Sequence, residues 1–69
     1  MTTKQAIKEH GPEVSEERIG TEDRLVGYAD GTFGWQARGS AEVFFPTQQG
    51  KEYACYSPRD RAIADYNAT

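Results

Sequence analysis

The sequence has little of what catalytic and metal centres are built from. It holds one histidine, His10, and one cysteine, Cys55, among 69 residues. A lone cysteine cannot close a disulfide within the chain, so no covalent staple is available and a reducing compartment is expected. One histidine and one cysteine are too few for a zinc site in a single chain. The candidate nucleophiles Ser15, Ser40, Ser57 and Cys55 stand in no nucleophile elbow and in no cysteine–histidine signature. Gly27, Gly31, Gly34 and Gly39 fall among strand patterns, not between a strand and a helix start, so they form no phosphate loop. No apolar run approaches the roughly 20 residues of a membrane span. Met1-Thr2-Thr3-Lys4-Gln5 lacks the apolar stretch of a signal peptide. These absences lead to the expectation of a cytoplasmic protein that is not an enzyme, holds no cofactor or metal, and has no membrane partner.

What is present is one domain's worth of chain, 1–69, with a thin core, because small domains bury a modest share of their surface. The candidate core is Ile7, Val14, Ile19, Leu25, Val26, Tyr28, Phe33, Trp35, Ala37, Val43, Phe45, Tyr53, Cys55, Ile63 and Tyr66. The net charge is −3 and is unevenly placed. Glu9, Glu13, Glu16, Glu17, Glu22 and Asp23 outweigh Lys4, Lys8 and Arg18 in residues 1–23, whereas acids and bases balance beyond. Bulk attraction to nucleic acid or anionic lipid is therefore not expected. The acids lack the alternating oxygen spacing of a calcium loop.

Three segments follow from local pattern. In 1–23, Thr2 and Gln5 form a capping box, and His10-Gly11-Pro12 stops a helix over 3–10. Pro12 to Ile19 reads as a turn of helix or an ordered linker, because Val14 and Ile19 make a poor stripe, and Gly20 to Asp23 reads as loop. In 24–56 the period changes to two. Strands are predicted at 24–29, 32–38, 41–45 and 51–56, with a hairpin turn at Asp30-Gly31 and a polar loop over 47–50. Short connections make the neighbours antiparallel. In 57–67, Ser57 caps, Pro58 takes the first helical position, and Asp60 suits the third. The fold class is thus α+β: an antiparallel meander of three to four strands, a C-terminal helix on one face and a short N-terminal helix.

The same alternation sorts the aromatics. It assigns Phe33, Trp35, Val43, Phe45 and Tyr53 to the face under the C-terminal helix, where Ile63 and Tyr66 cover them, and points Cys55 inward as a small hydrophobe. It leaves Phe44 and Tyr56 with Arg38 on the opposite face, where such residues are typical anchors of a partner surface. Glu13, Glu16, Glu17, Glu22 and Asp23 supply an acidic surface that suits a basic patch. The function this pattern favours is a small non-catalytic module that occludes a site on a larger protein, of the kind that viral or mobile-element genes encode as inhibitors. Two alternatives stand beside it. One is a single-stranded nucleic-acid-binding domain using Trp35, Tyr53, Arg24 and Arg38. The other is a structural subunit or homodimer that pairs an open sheet edge with a copy of itself.

Overall fold

A computed structural model describes residues 1–47 and 50–68. The elements in chain order are helix α1 (Thr3–His10), strands β1 (Glu13–Ile19), β2 (Asp23–Tyr28) and β3 (Phe33–Ala37), a 3₁₀ turn (Lys51–Tyr53) and helix α2 (Pro58–Ala68). The strands form one antiparallel sheet in the order β1-β2-β3, so the α+β meander with a helix at each end is observed. Gln48 and Gln49, in the expected polar loop, lie outside the described residues. Among the described residues no helix is long and apolar enough to cross a membrane.

Local chemistry sets the helix ends. Thr2 Oγ1 accepts the Gln5 N–H at 3.2 Å, and Gln5 Oε1 accepts the Thr2 N–H at 2.9 Å, closing the capping box. Gly11 ends α1 at φ +90° with its N–H on the Ile7 carbonyl. Ser57 Oγ accepts the Asp60 N–H at 3.1 Å and starts α2. In the β2–β3 turn, Asp30 Oδ1 accepts the Thr32 N–H at 2.9 Å while Gly31 takes φ +90°, which only glycine adopts cheaply.

Three segments differ from the sequence reading. Residues 13–19 are a strand, not a helical turn or linker. As an edge strand, β1 is exposed from Val14 to Arg18, so it needs almost no apolar residues and shows no hydrophobic period. Residues 41–45 form no continuous strand. They make single bridges, Glu42 to Thr2 and Phe44 to Trp35. Residues 51–56 turn instead of extending: Tyr53, Ala54 and Tyr56 each donate to a carbonyl three residues back. Lys51, Glu52 and Ala54 are poor strand formers. Tyr53 and Tyr56, three apart, come together edge to face at 5.4 Å in such a turn.

The bridge at Phe44 divides the core. Trp35 and Phe44 exchange backbone hydrogen bonds at 2.8 and 2.9 Å, so their side chains share one face of the sheet. On that face Leu25, Trp35, Phe33 and Ile19 pack with Ala62, Ile63 and Tyr66 of α2. Val43 and Phe45 consequently turn to the other face, where they join Val26, Tyr28 and Ala6 of α1. The expected packing of Val43 and Phe45 under α2 is thus corrected, since a one-residue shift in pairing exchanges the two faces. Ile7, Val14 and Cys55, expected in the core, are exposed.

Close approach of residues 44–45 to β3 depends on Gly34. A Cβ there would stand 2.7 Å from the Phe44 carbonyl oxygen and 3.0 Å from the Phe45 ring. Gly34→Ala is expected to push this segment away and to lower unfolding free energy by about 1–3 kcal/mol, the usual range for overpacking. Urea denaturation followed by tryptophan fluorescence measures it directly, because Trp35 is the bonded partner.

Candidate functional site

The residues expected to form one docking surface are distributed over the molecule. Phe44 is 50% exposed and stacks on Trp35 with centroids 6.2 Å apart and an interplanar angle of 24°. It therefore stands on the α2 side of the sheet, not on the opposite face. Tyr56 is 44% exposed and lies outside the sheet, in the turn before α2. Arg38 is exposed just beyond β3 and borders a separate polar cleft of about 620 Å³ with Glu16, Arg18, Glu22, Arg24 and Gln36. The open aromatic face inferred from alternation does not form, because α1 covers that side through Ala6 and the paired segment fills it with Val43 and Phe45.

The acids are also dispersed, and most are engaged. Glu13 receives both terminal nitrogens of Arg24 at 3.1 Å. Arg24 further donates to Gln36 Oε1 from Nε at 2.9 Å and from Nη2 at 2.7 Å. Gln36 Nε2 donates in turn to Thr3 Oγ1 and the Ser40 carbonyl. This partly buried network ties β1, β2, β3, α1 and the turn after β3 together. The carboxylate of Glu13 raises the Arg24 pKa above its ordinary value. Glu17 receives Nε and Nη2 of Arg59 at 3.0 and 2.8 Å, clasping β1 to α2 and lowering the Glu17 pKa. Asp23 accepts the Tyr66 hydroxyl proton, a bond that raises the Tyr66 pKa. Glu16 keeps a looser approach to Arg24 at 3.6 Å, with a side chain 64% exposed. Among the described residues, Glu22 makes no ion pair. Glu16 and Glu22 are therefore the acids freest to meet a partner.

His10 serves its helix end. Its Nδ1 donates to Asp30 Oδ2 at 2.7 Å, and its ring packs 4.9 Å from Phe45 and 5.9 Å from Tyr28. The contact pins the C-terminus of α1 to the β2–β3 turn. Ser57 is occupied in capping α2.

A feature the sequence did not signal is a groove of about 360 Å³ between the β2–β3 turn and the start of α2. Its walls are Phe33, Pro46, Tyr56 and Pro58, with Asp30 at the rim and Arg61 beside them. Arg61 Nη2 donates to the Tyr53 carbonyl at 2.9 Å and fastens the 3₁₀ turn to α2. Its Nε is buried and has no hydrogen-bond acceptor among the described residues. Rigid apolar walls form a surface suited to an extended chain. Pro46 and Tyr56 reach this groove from distant points in the sequence, so no local motif announces it.

The Asp30 carboxyl is held below its ordinary pKa, first by the Thr32 backbone N–H and then by His10. A carboxyl with a lowered folded-state pKa stabilises the fold above its unfolded value and loses that contribution as pH falls through the folded one. Asp30→Asn is thus expected to lower Tm at neutral pH. The difference from the native chain should shrink steadily below about pH 4 and vanish once the Asp30 carboxyl is protonated in the folded as well as the unfolded chain. Thermal melts by circular dichroism across that range check the sign. No family model, curated protein or solved structure matches this chain.

Proposed function

We propose that this protein is a non-catalytic binding module that takes an extended segment of a larger protein into the groove beside Tyr56, and that it acts by occluding that segment or the surface bearing it. The observation that carries this reading is the half-exposed Tyr56 standing with Phe33, Pro46 and Pro58 along one largely apolar groove. Tyrosine, phenylalanine and proline walls lose little conformational entropy on binding, which is why such residues anchor interfaces. Phe44 gives a second exposed aromatic, whereas Glu16 and Glu22 line a separate cleft. An inhibitor of viral or mobile-element origin remains the biological setting this reading fits, on the grounds of size and of the absence of catalytic motifs in the sequence.

The nucleic-acid alternative has less to draw on. Trp35 is 8% exposed, packed in the core with Leu25 and Ala62, and the Arg24 guanidinium is occupied by Glu13 and Gln36. Trp35 thus offers little ring surface to a base, and Arg24 would have to exchange Glu13 or Gln36 for a phosphate.

Affinity capture from the native cell, followed by mass spectrometry, identifies the partner. Tyr56→Ala should weaken that capture about tenfold or more, in the range of an interface anchor, with the far-UV circular dichroism unchanged. Phe44→Ala should weaken it less. Equal capture by native and Tyr56→Ala chains overturns the reading.

A further inference from the structure

We infer that the outer edge of β1 pairs with β1 of a second copy of this chain, antiparallel, in the register that sets Glu16 opposite Arg18. The inference starts from the direction of backbone groups. Tyr28 donates its N–H to Thr32 on the β3 side, and Ala29 donates to Pro12 on the β1 side. Alternation along β2 then directs the backbone groups of Gly27, Leu25 and Asp23 toward β1. The residues opposite them, Ser15, Glu17 and Ile19, turn inward. The N–H and C=O groups of Glu16 and Arg18 therefore point away from the sheet. The β3 side obeys the same alternation, since Trp35 turns its groups outward to Phe44. The residues of β1 from Val14 to Arg18 are exposed. Seven residues of strand thus end in an open row of donors and acceptors, which a second strand can satisfy.

Charge chooses the occupant and the register. Arg18 makes no ion pair among the described residues, although it lies directly opposite Arg24 in the sheet, a like-charge pairing that costs free energy. A second β1 about a two-fold axis perpendicular to the sheet can align with Glu16 on Glu16, with Glu17 on Glu17, or with its neighbours shifted. The first alignment sets the two Glu16 carboxylates face to face, and a shift one way sets Glu13 on Glu17. A shift the other way sets Arg18 on Arg18. Centring on Glu17 instead places Glu16 opposite Arg18 of the second copy, and Arg18 opposite its Glu16. Both are outward-facing positions, so each of these pairs also exchanges backbone hydrogen bonds. The two Glu17 carboxylates that then meet each carry their own Arg59, so the cluster is neutral. The result is a continuous six-stranded sheet with both α2 helices on one side. Two strands side by side make a small interface, under about 1,200 Å² in total, so pairing depends on concentration.

Sedimentation velocity over a concentration series should show monomer passing into dimer. Arg18→Glu should raise the dissociation constant about tenfold or more, because two attractive cross-strand pairs become repulsive. The double exchange E16R/R18E should restore it. Register is read by cysteine scanning in a C55S background, since Cys55 is exposed and would cross-link by itself. Glu17→Cys stands at a directly opposed, non-hydrogen-bonded position with Cα atoms about 4.5 Å apart, within disulfide reach. It should oxidise to a covalent dimer, whereas Glu16→Cys should not. A chain that stays monomeric at every concentration, a dimer indifferent to R18E, or cross-linking through position 16 as readily as through 17 overturns the inference. The Tyr56 groove plays no part in this test, so its outcome is independent of the binding function proposed above.

Discussion

The backbone pair between Trp35 and Phe44 decides which side of the sheet each residue from Val43 to Phe45 occupies, and with it the whole arrangement of the core. Because Phe44 sits opposite Trp35, Val43 and Phe45 must face the other way, toward α1. The sheet then has two covered faces in place of one. A thin meander with one helix would leave Val26 and Tyr28 wet. The returning segment and Ala6 close over them, and α2 is left free to cover Leu25 and Trp35. Gly34 makes the approach possible, since any side chain there would meet the Phe44 carbonyl.

This pairing also explains which parts of the fold could be read from the sequence. Both helices, their capping residues and the Asp30-Gly31 turn are determined within a few residues of chain, and all are found where local chemistry puts them. The alternation through Leu25–Tyr28 and Phe33–Ala37 is likewise visible, because those strands are half buried or more. The strand β1 was hidden by its own position: at an edge, charge is tolerated on both faces, and Glu13–Ile19 shows no period. The facing of Phe44 against Phe45 was ambiguous for a different reason. Two adjacent phenylalanines look alike in a pattern of two, and only the partner strand distinguishes them. The same holds for the Tyr56 groove, which arises from the meeting of Phe33, Pro46 and Pro58 and not from any one stretch.

Charge in this molecule is spent chiefly on joining elements. Arg24 and Arg59 take up Glu13 and Glu17, two of the three acids of β1, on opposite faces of the sheet. What had looked like an acidic face is in large part a set of fasteners between layers. Glu16, with its looser approach to Arg24, and Arg18, Glu22 and Arg38, which make no ion pair among the described residues, gather around one cleft on the α1 side of the sheet. Aromatic surface is found elsewhere, at Phe44 and Tyr56. A polar, backbone-rich edge and an apolar groove are thus separate resources, and using one leaves the other available.

The tie between the start of the chain and its middle has a consequence for biosynthesis. Thr2 bridges Glu42, and the Val43 N–H reaches the Met1 carbonyl, so α1 has its docking partner only after residue 43 is in place. A helix of eight residues is marginal in water without such support. During vectorial synthesis α1 emerges before everything it packs on, and it must fray while β1, β2 and β3 assemble. Of these elements, the one translated first is then among the last to become ordered.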